Sequence, residues 1–162
     1  MIHSKSAAVR LFDYYLQPGN GAGIDGLEQG GVGTKLTGVV YYSPAAESHK
    51  GFCHGGSMCS LMDDIIGWCG FVVTGTCHPW SGFTVQINTS LRKPIPVGSF
   101  LVASAEITKI ERRKVSIRAK LFAVQERDGT EVLHAEGDGL VVLNRGVLPS
   151  APAVKPSNAG TN

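Results

Sequence analysis

From position 54 to position 73 the chain reads His54-Gly55-Gly56-Ser57-Met58-Cys59-Ser60-Leu61-Met62-Asp63-Asp64-Ile65-Ile66-Gly67-Trp68-Cys69-Gly70-Phe71-Val72-Val73, with no proline. On a wheel of about 100° per residue centred on Met62, the side chains of Cys59, Ile65, Ile66, Cys69, Val72 and Val73 fall within about 80° either side. The spacing predicts a helix over Gly56–Val73 with that stripe turned toward a sheet. A second stripe adjoins it: Gly56, Ser60, Asp63, Gly67 and Gly70. Every member but Asp63 is tiny, so another backbone or a ligand can come close. The helix is too apolar for a surface helix, which predicts a sheet wrapped around it.

The flanks read as strands. Lys35 to Ser43 is one, ended by Pro44, and residues 45–55 form a polar loop into His54-Gly55-Gly56. After a Gly/Pro loop at 74–82 come strands near 83–92, 99–110, 114–126 and 131–143. Turns at Pro94–Gly98, Glu111–Arg113 and Asp128-Gly129 separate them. One long helix and strands in hairpin-like succession make an α+β plan with one antiparallel sheet. Residues 7–16 are read as a short helix, and 1–34 as that helix plus a glycine-rich lead-in. Residues 35–144 form the domain, and 145–162, rich in Pro and Ala, read as a disordered tail.

Composition narrows the function. The chain has 162 residues, 43% apolar and 17% charged, with a net charge of +2. No dense basic patch marks a nucleic-acid binder, and no apolar run is long enough for a membrane helix. No secretory signal is visible, so an intracellular location, cytoplasmic or mitochondrial, is expected; Lys5 and Arg10 before the first acid give a slight transit-peptide character. None of Cys53, Cys59, Cys69 and Cys77 forms a Cys-x-x-Cys pair, so no metal is expected. Seven of the 21 glycines fall between Gly19 and Gly33 and include a formal GxGxxG at 21–26. The glycines at 30, 31 and 33 forbid the helix that a dinucleotide fingerprint requires, so a flexible loop is expected.

The chemistry-bearing residues cluster around the helix. Asp63 is a carboxylate in a small-residue ridge, and burying it costs several kcal/mol unless it is paired or used. Catalysis and a hydrogen bond across a subunit interface both remain open for it. Asp64, about a hundred degrees further round, is an alternative acid. The N–H groups that open a helix have no intrahelical acceptor and lie at the positive end of its dipole. With Gly55 and Gly56 there and His54 before them, they form a plausible oxyanion corner. Along the strand after the helix, strict alternation puts Thr84, Gln86, Asn88, Ser90 and Arg92 on one face and Val85, Ile87, Thr89 and Leu91 on the other.

Taken together, Gly51-Phe52-Cys53-His54-Gly55-Gly56, Asp63, Thr84, Arg92-Lys93-Pro94-Ile95-Pro96 and Arg113-Lys114 resemble the hotdog-fold acyl-CoA thioesterases, of the PaaI-like group. The resemblance is nearest to the eukaryotic mitochondrial long-chain type and covers about residues 35–143. It implies a long helix wrapped by an antiparallel sheet, in a homodimer or dimer of dimers with sites at the protomer interface. It implies hydrolysis of an acyl-CoA to a carboxylic acid and coenzyme A, with no cofactor beyond the coenzyme A of the substrate. By resemblance, Asp63 is the catalytic acid, Gly55 the oxyanion donor beside His54, and Thr84 the hydroxyl that holds the water. Ser90, Arg92, Arg113 and Lys114 match coenzyme A contacts. The sequence has Ser48 where relatives often have Asn. The alternatives are a non-catalytic acyl-CoA or lipid-binding hotdog domain and, more weakly, a dehydratase.

Overall fold

The computed structural model describes residues 8–21, 30–74 and 80–145. The glycine-rich segment 22–29, the 75–79 stretch with Cys77, and the tail from 146 lie outside the described residues, as does the start of the chain before Ala8. In chain order the elements are β1 (Val9–Gln17), β2 (Lys35–Tyr42), a 3-10 turn at Pro44–Ala46, β3 (Glu47–His49), β4 (Phe52–Cys53) and α1 (Gly55–Phe71). A 3-10 turn (Val72–Thr74), β5 (Gly82–Leu91), β6 (Ser99–Glu111), β7 (Lys114–Val124) and β8 (Glu131–Leu143) follow. Six strands form one antiparallel sheet in the order β1-β2-β6-β7-β8-β5, and β3 and β4 pair by themselves.

The helix lies in the concave side of this sheet, as the resemblance implies for a hotdog fold. Leu61, Met62, Ile65, Ile66 and Cys69 are fully buried against Val40, Ala103, Ile107, Ile117, Leu121 and Val141. Two glycines set how close helix and sheet come. A Cβ on Gly70 would stand 2.8 Å from Val141 Cγ2, and one on Gly139 would stand 2.5 Å from Ile66 Cγ2. Real side chains do not tolerate such separations without shifting, so both positions stay bare.

Three expectations need correction. Residues 7–16 are not a helix: Val9–Gln17 is an edge strand paired with β2. Valine, leucine and the aromatic residues there favour a pleated surface, and a lone short helix is marginal in water. Cys59 does not belong to the buried stripe; it is exposed, one turn before Asp63. The alternation along β5 is also interrupted. Thr84 pairs with Val141 and Gln86 with Leu140, so Val85 is an extra, bulged residue.

Candidate active site

The bulge decides which side chains meet. Past it, Ile87, Thr89 and Leu91 face the helix, and before it so does Thr84. Thr84 Oγ1 lies 3.5 Å from where a Cβ on Gly67 would stand, and Leu91 Cδ1 lies 2.9 Å from where a Cβ on Gly55 would stand. Asn88 lines a separate hollow with Thr108, Ser116 and Asp138, and Gln86, on the edge strand, borders both that hollow and the groove beside the helix. Thr84 therefore does not share a face with Ser90 and Arg92, as unbroken alternation predicts. It turns inward to a groove of about 510 Å³ lined by Cys59, Asp63, Thr84, Val85, Gln86, Ile87 and Thr89.

Within that groove the two adjacent acids part company. Asp63 is exposed to the groove, across from Thr84. Asp64 is half-buried and accepts a hydrogen bond of 3.4 Å from the Tyr14 hydroxyl of β1. Only Asp63 is open to a reactant. The sequence reading did not pick out Cys59 and Thr89, which also line the groove. The Thr89 Oγ1 atom is buried, with no hydrogen-bond partner among the described residues. Spacing held the signal for Cys59, four residues before Asp63 and therefore on its face. For Thr89, the signal was a hydroxyl on an otherwise apolar strand face.

The helix start is simpler than two free amides. His54 is the N-cap, with extended backbone, and its Nδ1 accepts the Gly56 N–H at 2.9 Å. The Ser57 N–H goes to the His54 carbonyl at 2.9 Å. The Gly55 N–H, at the first helical position, has no intrahelical acceptor and no other among the described residues. Of the glycine pair, only Gly55 offers a donor. Two buried groups nearby stay protonated: burial raises the Cys53 thiol, and burial followed by the neighbouring Cys53 and Cys59 raises the Tyr42 hydroxyl far above its ordinary range.

The eight sequence-predicted residues fall into two groups within one chain. Lys114, Val142 and Phe83 are in register across β7, β8 and β5, which puts Arg113 and Lys114 at the Thr84 end. Ser90 pairs with Glu136 at the other end, and Leu91 packs on Gly55. Arg92 holds Glu136 there through Nη2 at 2.6 Å and Nε at 2.9 Å. Asp63, Thr84, Arg113 and Lys114 thus make one set; His54, Gly55, Ser90 and Arg92 make the other. Gly55 and Asp63 are eight residues apart, roughly 12 Å along the helix axis, too far to touch one carbonyl carbon and its oxygen.

No group of three or more metal-ligating side chains occurs among the described residues, and no helix among them is long and apolar enough to cross a membrane.

Comparison with known proteins gives a consistent picture. The family model described as thioesterase superfamily matches residues 50–130. Mouse acyl-coenzyme A thioesterase THEM4 is 31% identical over 94 residues, covering 57% of this chain and 36% of the relative. Mouse acyl-coenzyme A thioesterase THEM5 is 31% identical over 97 residues, covering 60% and 36%. The chain thus spans little more than a third of the length of these curated relatives. Among solved structures, zebrafish thioesterase superfamily member 2 superposes with a TM-score of 0.59 at 17% identity, covering 88% of this chain and 91% of that one. The Staphylococcus aureus acyl-CoA hydrolase, solved with butyryl coenzyme A, gives 0.60 at 16% identity, covering 67% and 65%. These likenesses support the fold, and the family model covers half of the sequence: the chain belongs to the thioesterase superfamily.

Proposed function

We propose that the protein is an acyl-CoA thioesterase whose sites are shared between two protomers. The observation that carries the reading is the pairing of an open Asp63 with Thr84 across one groove, while the free Gly55 N–H lies at the far end of the same helix. β5 is the last strand of the sheet, and its outer edge is unpaired among the described residues. Antiparallel pairing of two such edges about a twofold axis sets Thr84 of one protomer near Leu91 of the other, and with Leu91 comes Gly55. The two separated groups of site residues then become one site.

There the thioester carbonyl oxygen accepts the partner's Gly55 N–H, at the positive end of the helix dipole. Asp63 takes a proton from a water held by Thr84 as that water attacks the carbonyl carbon. Alternatively, the Asp63 carboxylate attacks directly and water opens the resulting anhydride. In either route the C–S bond breaks and the coenzyme A sulfur leaves with a proton. Arg113 and Lys114 from one protomer, with Ser90 and Arg92 from the other, suit the coenzyme A. The reaction needs no cofactor or metal. Acyl-CoA is made inside cells, which favours a cytoplasmic or mitochondrial location.

The test is thiol release from a panel of acyl-CoAs. Asp63→Asn is expected to lower turnover by at least about 10²-fold, and Thr84→Ala by less. Near-full hydrolysis by Asp63→Asn overturns the mechanism. Acyl-CoA binding by calorimetry with no thiol release at high protein concentration leaves a binding domain instead.

A further inference from the structure

We propose that Cys59 stands on the twofold axis of the proposed dimer, facing the partner's Cys59, and that this thiol pair is an oxidation site whose disulfide shuts both active sites at once. The inference rests on the shared-site reading above and concerns a residue to which the family resemblance gives no role.

Symmetry sets the level. A twofold axis that brings the partner's Gly55 to Asp63 also brings the partner's Asp63 to Gly55. Two antiparallel copies of α1 related in this way are level with themselves midway between those positions, and the midpoint is Cys59. Every other residue is displaced from its own copy along the helix, by about 3 Å for each step away from the midpoint. The strand contacts agree to within two residues: Thr84 beside Gly67 and Leu91 beside Gly55 centre on position 61.

The exposure of α1 leads to the same place. Of its 17 residues only Gly56, Cys59, Ser60 and Asp63 are exposed. They recur at i, i+3, i+4 and i+7, one narrow stripe on a helix otherwise covered, and Cys59 and Ser60 are its centre. Cys59 and Asp63 line the groove beside β5, whose outer edge is unpaired among the described residues. The copy that pairs with that edge therefore covers this stripe with its own. Side chains this small let helix axes pack at about 8–10 Å. Facing Cα atoms, each about 2.3 Å from its axis, then stand roughly 3.4–5.4 Å apart. A disulfide spans Cα separations of about 4.4–6.8 Å.

The surroundings suit sulfur chemistry. Cys59 is a free thiol open to the groove, whereas Cys53 and Cys69 are buried. Tyr42 is wholly buried, its hydroxyl has no hydrogen-bond partner among the described residues, and it lies within electrostatic reach of Cys59. That hydroxyl stays protonated and is an unspent donor for the oxygen of a Cys59 sulfenic acid. With a peroxide as oxidant, one thiolate attacks an oxygen, the O–O bond breaks, and water leaves. The partner's thiolate then attacks the sulfenic sulfur, the S–O bond breaks, the S–S bond forms, and a second water leaves. The two thiols give up two electrons and two protons, and the peroxide takes them. Cys59 is one turn from Asp63 in the same groove, so the bridge draws the two stripes together where the thioester has to lie. A displacement of about 1 Å there is enough to cost about 10²-fold in rate.

The test treats the reduced full chain with hydrogen peroxide and follows hydrolysis by thioester absorbance, with no thiol reagent present. The expected result is a non-reducing gel band at twice the chain mass, unchanged elution on a sizing column, and turnover lower by at least about tenfold, all reversed by dithiothreitol. Cys59→Ser should show neither the cross-link nor a loss of its own activity on oxidation, and Cys77→Ser should show both. The inference is overturned if no cross-link forms, if one survives in Cys59→Ser, if it builds species larger than a dimer, or if the cross-linked dimer keeps its turnover. When Asp63→Asn abolishes hydrolysis but no cross-link forms, this inference falls alone. When Asp63→Asn hydrolyses normally, the mechanism falls, and the gel still decides whether two Cys59 thiols meet.

Discussion

The His54 imidazole settles how many donors the helix start can offer. By taking the Gly56 N–H onto Nδ1, it leaves Gly55 as the one free amide of the pair. That amide can be deleted almost alone. Proline is well tolerated at the first helical position, where its missing N–H is an orphan in any case. The residue before it must be extended, and His54 already is, at φ −66° and ψ 131°. The new ring atoms meet only the movable end of Leu91, 2.9 Å from the Cβ position. Gly55→Pro is therefore expected to keep its melting temperature within a few degrees while thiol release falls about 10²–10³-fold, the cost of losing one oxyanion donor. Unchanged turnover in a folded Gly55→Pro protein removes Gly55 from the mechanism. At this scale the sequence was informative: His54, Gly55 and Asp63 stood out because carboxylates and paired glycines are rare on apolar helices, while Thr84 was picked out by the family resemblance. The small-residue setting favoured Asp63 over Asp64 in the sequence, but the contact that separates them was not legible there: it comes from Tyr14, fifty residues away in the chain, whose hydroxyl donates to Asp64.

Among the elements, α1 and the strands β2 and β5 to β8 were legible because their hydrophobic periods are long and are bounded by Gly, Pro and Asp-Gly signals. β1 was not, since Val9–Gln17 carries apolar residues at both helical and strand spacings and takes its form from pairing with β2. The β5 bulge was not legible either. A single extra residue leaves composition and alternation intact and reverses which side Thr84 faces. The small-residue ridge of α1 serves two purposes that substitution can separate. Gly70→Ala drives a methyl against Val141 and is expected to cost about 1–3 kcal/mol, seen as a lower midpoint in urea. Gly67→Ala meets Thr84 Oγ1 at 3.5 Å, an ordinary contact. It should leave stability nearly unchanged and act on turnover, by crowding the hydroxyl proposed to hold the water. If the two variants are equally unstable, the ridge is packing throughout.

On the scale of the whole molecule, the proposed shared site leaves each chain with two incomplete half-sites, which makes a mixing experiment decisive. Asp63→Asn and Gly55→Pro chains are each expected to be inactive alone. Co-expressed, half of the dimers are mixed, and each of these holds one intact pair of Gly55 and Asp63, so activity should return to roughly a quarter of the parent level. A mixture as dead as its components places the whole site in one chain. The bare edge of β5 has a further consequence. Between Gly82 and Leu91 there is no charged residue and no proline, and Phe83 and Val85 are 62% and 56% exposed. Edges without such gatekeepers recruit any extended chain they meet. If β5 pairs across a dimer as proposed, a protomer without its mate is expected to nucleate aggregation as well as to lose activity. In that dimer, dilution or interface mutation should show up as turbidity sooner than as a stable monomer, and the usable yield would follow how fast two copies find each other.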